Sequence, residues 1–340
     1  MKRARWLLSG PLGAMLIALV LTALAMIVAG ASPIDGFAAL FGGALGGPSQ
    51  IAETLTQTTY LLLPALGISL AFRAGLFNIG AEGQLLIGGL LAGAIGAHLF
   101  LPAIVAIPIV LIASMVGGGI WGGIAGWMKA RFGANEIIST LMLNFVAASL
   151  ANYLVSGPLK SPLATGAETA PLHPNTWLPH LGDTRLSIAL LIALAVALIL
   201  QFVFSRTVFG YEVRAIGEAP EAARRNKVDL RRLTWMSLAI SGAIAGLGGG
   251  AIVTGELHRF NTELSPGYGF TAIAVALVGD LNPLWVCVAA FGFGILEAGG
   301  LALQAQANVP KDAIHVIEGL IILVLAARRY VSTRKEPVPV

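Results

Sequence analysis

The chain has 340 residues, of which 56% are hydrophobic and only 11% are charged, and its mean hydropathy is +0.83. That leaves too little polar surface to coat a soluble globule of this size, so the composition specifies an all-α integral membrane protein. A net charge of +4 does not indicate nucleic-acid binding, because the basic residues sit in short loops beside apolar runs, where membrane orientation explains them.

Apolar segments long enough for about 30 Å of hydrocarbon fall at 7–30, 54–72, 77–98, 102–127, 137–155, 186–204, 235–254, 268–281, 284–304 and 313–327, which predicts about ten transmembrane helices. Lys2, Arg3 and Arg5 precede the first run, and Ala29-Gly30-Ala31 resembles a signal-peptidase site. The run is longer than the roughly 7–15 residues of a signal-peptide core, so an uncleaved first helix is expected. With the N-terminus cytoplasmic, all of the 21 basic residues except Lys160, Arg185, Arg259 and Lys311 fall on the cytoplasmic side. Ten spans then leave both termini cytoplasmic. They also divide into five and five, an arrangement compatible with an inverted repeat.

The stretch Phe72–Gly93 places Arg73, Asn78, Glu82 and Gln84 among apolar and glycine residues. Such a run cannot face lipid, since an ionised side chain there costs roughly 2.5–3.5 kcal/mol or more and an unpaired backbone group several. Four residues apart, Asn78 and Glu82 are expected on one helix face, with Gln84 displaced from it. They either line a permeation path or clasp neighbouring helices, and Arg73 at the cytoplasmic boundary places them as a polar hinge at the inner mouth. Glu136 and Asn144 carry the same ambiguity on the fifth span, although Lys129 or Arg131 beside Glu136 gives it a structural partner. Gly118-Gly122-Gly126 and Gly242-Gly246-Gly250 each repeat every four residues and predict close helix packing.

The loop 156–183 is proline-rich and carries little positive charge, as expected outside. His173 and His180 within it have no third donor nearby, so no metal site is expected. The eighth span is short and either tilts, breaks or continues through Asp280-Leu281-Asn282-Pro283. Cys287, the only cysteine, lies in an apolar segment and is read as core packing. Glu297 sits nearest the middle of a span, whereas Glu256, Glu263 and Glu318 lie toward external ends. An intramembrane acid is a functional candidate and is what a proton-coupled carrier needs. No residue is assigned a catalytic role: a G-x-G-D motif, an H-E-x-x-H motif and a G-x-S-G motif are all absent.

The cytoplasmic segment 205–234 contains Ala219-Pro220 followed by Glu221-Ala222-Ala223-Arg224-Arg225, a short helix with proline in its first turn and acid before base. It reads either as a docking helix or as an ordinary charged loop.

Five blocks in order, GLFNIGAEGQLLIGG (Gly75–Gly89), GANEIISTLMLN (Gly133–Asn144), Gly217-Glu218-Ala219-Pro220-Glu221-Ala222-Ala223, SGAIAGLGGG (Ser241–Gly250) and GYGFTAIAVALVGDLNP (Gly267–Pro283), resemble the membrane permease subunits of bacterial ATP-binding-cassette importers. The family serves branched-chain amino acids, ribose and other simple sugars, and nucleosides, and the first two blocks look most like the nucleoside and simple-sugar branch. The resemblance implies a single permease domain over 1–335 with a short cytoplasmic tail at 336–340, multi-pass in the bacterial inner membrane. It implies three partners: a second homologous permease in a heterodimer, a cytoplasmic ATPase that binds ATP and magnesium, and an external substrate-binding lipoprotein. The loop between the halves is then the ATPase-coupling element, carried here by Gly217, Glu218, Ala219, Pro220, Glu221, Ala222, Ala223 and Asn226. Asn78, Glu82, Gln84, Asn144 and Glu297 are the pore or gating candidates. Family members often have Gly-Ile where this chain has Lys227-Val228. The chain has no G-x-x-x-x-G-K-[ST] phosphate loop, so energy must come from a partner or, in the alternative reading of an ion-gradient-driven secondary transporter, from a gradient. No cofactor is expected in the chain itself.

Overall fold

A computed structural model describes residues 32–162 and 166–307, with isolated positions at 20, 23, 24, 27 and 319. The tail and most of the predicted first and last spans lie outside the described residues. Regular structure among the described residues is helical, apart from two isolated bridges. In chain order the helices are α1 (Pro33–Leu45), α2 (Pro48–Arg73), α3 (Ala81–Gly96), α4 (Ala103–Phe132), α5 (Glu136–Ser156), α6 (Ala189–Arg206), α7 (Val208–Glu218), α8 (Pro220–Arg225), α9 (Leu230–Ile252, extended by a π turn at Val253–Leu257), α10 (Tyr268–Val278) and α11 (Pro283–Ala307). Six of them, α2, α4, α5, α6, α9 with its π turn and α11, are long and apolar enough to cross a membrane, and α1, α3 and α10 are shorter apolar helices.

Burial separates centre from periphery. The apolar stretches of α2 and α9 are 83% and 78% buried, against 28% for each of α4, α5 and α6. The central pair is therefore surrounded by protein, and the outer three show Ile, Leu and Phe to the exterior, as lipid requires.

The two glycine stripes face each other across the α4–α9 contact. A Cβ on Gly118 would stand 2.2 Å from the carbonyl oxygen of Gly242, and one on Gly246 would stand 2.4 Å from that of Ser114. Only glycine permits backbones this close, and the closeness replaces the hydrophobic drive that lipid does not supply.

Helix α1 was not anticipated, because residues 33–45 lie between apolar runs of spanning length. Its start is nonetheless encoded: Pro33 occupies the first turn and the Ser32 hydroxyl accepts from the Asp35 N–H at 3.5 Å. It packs on α11 through small residues, where a Cβ on Gly43 would meet that of Ala302 at 2.2 Å.

Between α4 and α5, Gly133 takes φ 68° as the helix terminator and Asn135 caps α5 through its side-chain oxygen. Lys129 bridges this turn to Glu136 at 2.5 Å, the structural role expected of that acid. The ends of α2, α4 and α6 gather their basic residues on the same side as α7 and α8. On the other side residues 166–183 are strapped down by backbone bonds, Thr169 N–H to Phe260 O and Leu178 N–H to Thr254 O, both at 2.9 Å.

Candidate functional site

Residues 74–80 are not helical. After Arg73 the chain turns at Gly75 (φ 72°) and continues without regular structure until α3 starts at Ala81. The N–H groups of Ala74, Gly75 and Leu76 close back on carbonyls of α2, and beyond them the backbone must find partners inside the protein, several of which are side chains. Asn144 on α5 accepts from the Gly83 N–H at 2.9 Å and donates to the Ile79 carbonyl at 2.9 Å. The Thr140 hydroxyl accepts from the Ile79 N–H at 3.2 Å, and Asn78 Oδ1 accepts from the Gly80 N–H at 3.0 Å.

Asn78 and Gln84 form a closed amide pair, each donating to the other at 2.9 and 3.0 Å, while the Asn78 amide also donates to the Ser241 hydroxyl at 2.8 Å. This corrects the helical-face expectation. Asn78 precedes the helix, so its partner is Gln84 and not Glu82.

Glu82 points instead to α10, where its carboxylate accepts from the Gly269 N–H at 2.7 Å and from the Ser265 hydroxyl. Glu82 lies in the first turn of α3 and Gly269 in the first turn of α10, so the positive ends of two helices converge on one carboxylate. The same Ser265 oxygen accepts from the N–H groups of Gly267 and Tyr268 at 3.2 and 2.9 Å. The buried acid is thus a cap shared by two interrupted helices.

The 11-residue α10, about 16 Å long, thus links Glu82 at one end to the turn at Leu281 at the other, where the Leu281 carbonyl accepts from Arg73.

A second polar group lies nearer the outer end. The Tyr60 hydroxyl hydrogen-bonds the Glu256 carboxylate, the Tyr268 hydroxyl donates to Gln57 Oε1 at 2.8 Å, and Gln57 Nε2 donates to Glu53 Oε1 at 2.8 Å. The two tyrosine rings are 5.7 Å apart. Glu297, buried on α11, acts electrostatically on Tyr268 and so belongs with this outer group rather than with Asn78 and Gln84. Sequence reasoning missed the tyrosines and Gln57, although Glu53, Gln57 and Tyr60 at spacings of four and three mark one polar face of an otherwise apolar helix.

At the cytoplasmic end α7 and α8 form a platform. Glu218, Ala219, Pro220, Glu221, Ala222 and Asn226 are exposed, Ala223 is buried and Gly217 is half-buried against the body. An open cavity of about 410 Å³ is lined by Ala219, Pro220, Glu221, Ala222 and Arg225. Helix α8 ends in a left-handed residue, Lys227 (φ 61°), with Val228 N–H bonded to Ala223 O and Lys227 N–H to Arg224 O, each at 3.1 Å. That is the helix ending usually made by glycine. Among the described residues no group of three or more metal-donor side chains converges.

The sequence matches the family described as branched-chain amino acid transport system, permease component, over residues 50–326. It is 33% identical over 337 residues to the glucose ABC transporter permease protein TsgB13 of Haloferax volcanii, covering 96% of this chain and 89% of that protein. It is 36% identical over 322 residues to the guanosine ABC transporter permease protein NupP of Bacillus subtilis, covering 93% and 92%. A second guanosine permease of that organism, NupQ, is 27% identical over 300 residues, covering 84% and 93%. No solved structure matches.

Proposed function

Because this chain belongs to the branched-chain amino acid transport system permease family, we propose that it is the transmembrane permease subunit of an ATP-driven importer for a nucleoside or simple sugar. The carrying observation is similarity over nearly the whole length to permeases named for guanosine and glucose. The exposed α7–α8 platform supports it as the ATPase contact. ATP and magnesium belong to that partner, and this chain contributes no enzymatic step.

Two guanosine permeases in one organism support pairing with a second, homologous permease, with solute delivered by an external binding protein at the bacterial inner membrane. In this reading the domain is single, and Asn78, Gln84, Asn144 and Glu82 hold the interrupted helices that shape the path. Glu297 and its tyrosine neighbours lie toward the outer entrance.

The test is reconstitution with the ATPase, the second permease and the binding protein, using labelled guanosine and labelled glucose. ATP-dependent uptake of one of them is expected. Uptake driven by a proton or sodium gradient in the absence of any ATPase would overturn the reading and favour the secondary transporter.

A further inference from the structure

Arg73 stands where four elements meet. Its Nε donates to the Leu281 carbonyl in the α10–α11 turn at 2.8 Å, and its guanidinium lies 4.4 Å over the ring of Phe204 at the end of α6. Its own carbonyl is pressed by α7: a Cβ on Gly217 would stand 2.0 Å from it. The carboxylates of Asp280 and Glu218 attract the guanidinium and Arg214 repels it. The turn it grips is strained, because Asp280 and Leu281 both take left-handed φ values of 48° and 57° without being glycine.

These contacts form a stiff line. Backbone touches backbone between α7 and the end of α2, with no compliant side chain between them, so α7 cannot shift without moving Arg73. Arg73 holds the carboxyl end of α10, and the other end of α10 is held by Glu82 at the start of α3. Resting on the functional reading above, we propose that Arg73 is a positioning residue that transmits movement of the α7–α8 platform to α10 and so to the interrupted helices. The bland alternative is that Arg73 only closes the end of α2 and keeps its charge at the water boundary. A cap of that kind supports folding but does not connect ATP to α10.

The experiment uses the complete importer complex in proteoliposomes, with the wild-type chain, Arg73→Lys and Phe204→Leu. Cys287, the chain's only cysteine, lies in the first turns of α11 just beyond the gripped turn and is half-buried, so its maleimide labelling rate reports local movement. The rate is followed on this chain by mass spectrometry, with and without ATP, beside ATPase co-purification, ATP hydrolysis and uptake of labelled guanosine and glucose.

Relay predicts an ATP-dependent change in labelling in the wild type that falls at least threefold in both variants. It also predicts that solute imported per ATP falls tenfold in Arg73→Lys while co-purification and hydrolysis stay within twofold. If Arg73→Lys does not assemble, Phe204→Leu, which removes only the ring beneath the guanidinium, decides. Labelling insensitive to ATP in the wild type, or equally sensitive in the variants, overturns the relay. Absence of ATP-driven uptake of either solute by the wild-type complex, with ATP-dependent labelling intact, overturns the choice of substrate and leaves the relay standing.

Discussion

Asn144→Leu isolates the work of one amide in holding the non-helical stretch 74–80. The side chain of Asn144 is the partner of two backbone groups, the Gly83 N–H and the Ile79 carbonyl. Leucine has the same number and branching of heavy side-chain atoms and leaves both without it. Each buried group left unpaired costs about 1–3 kcal/mol, about 4 kcal/mol for the two, and apolar burial of the leucine returns about 2 kcal/mol, so a net loss of about 2 kcal/mol is expected. Interhelical hydrogen bonds in membranes average only about 0.6 kcal/mol because the unfolded reference finds substitutes. Residues 79–83 precede the first complete turn of α3 and have few substitutes, which is why the larger figure applies. The assay is equilibrium unfolding of purified protein in mixed detergent, with Met142→Leu as a control at a position 48% exposed on the same helix and a change expected within about 0.5 kcal/mol. Asn144→Leu indistinguishable from that control would refute the account of how the break in α3 is supported.

At the platform, Ala222→Trp is expected to weaken ATPase co-purification at least tenfold with membrane insertion unchanged; Ala223 is unsuitable for this test because it is buried against the body. Lys227→Gly relieves the left-handed φ of 61° and is expected to stabilise α8 by about 1 kcal/mol, read as slower amide exchange at Val228. Burial and the neighbouring His180 lower the pKa of His258, which stacks on Trp177 at 3.9 Å beyond the end of α9. The folded state then binds fewer protons than the unfolded one, so stability is lost as pH falls below about 6.5. His258→Asn, which tolerates the left-handed backbone there, should flatten the thermal-stability profile between about pH 7 and 5, and an unchanged profile would show that another group carries the dependence.

Much of the fold was legible because membranes impose few solutions. The apolar runs at 54–72, 102–127, 137–155, 186–204, 235–254 and 284–304 became α2, α4, α5, α6, α9 and α11, and the glycine stripes met face to face. The pairing of Lys129 with Glu136 was legible for a local reason, since a glycine turn separates two helix ends that both carry charge. What was not legible is where backbone leaves the helical path. Hydropathy does not distinguish residues 77–80 outside a helix from the same residues inside one, and so the partner of Asn78 was misread. The π turn at Val253–Leu257 was invisible for the same reason, and with it the rotation that brings Glu256 to Tyr60.

The contrast between Glu82 and Asn144 shows what kind of joint the membrane interior contains. Asn144 and Asn78 satisfy backbone groups within one continuous neighbourhood of α3, α5 and α9, so their bonds resist any separation of those helices. Glu82 joins α3 to α10 through two hydrogen bonds to its carboxylate and through the attraction of two helix ends, each end worth about 0.3–1 kcal/mol at the surface and up to about 2 kcal/mol when partly buried. A joint of that size can open when a partner's ATP cycle acts on it, while the amide-bonded side stays closed. Gly269 also packs directly on the Glu82 backbone, so α3 and α10 part only together with that contact, and α10 is the element that α7, through Arg73, is placed to move.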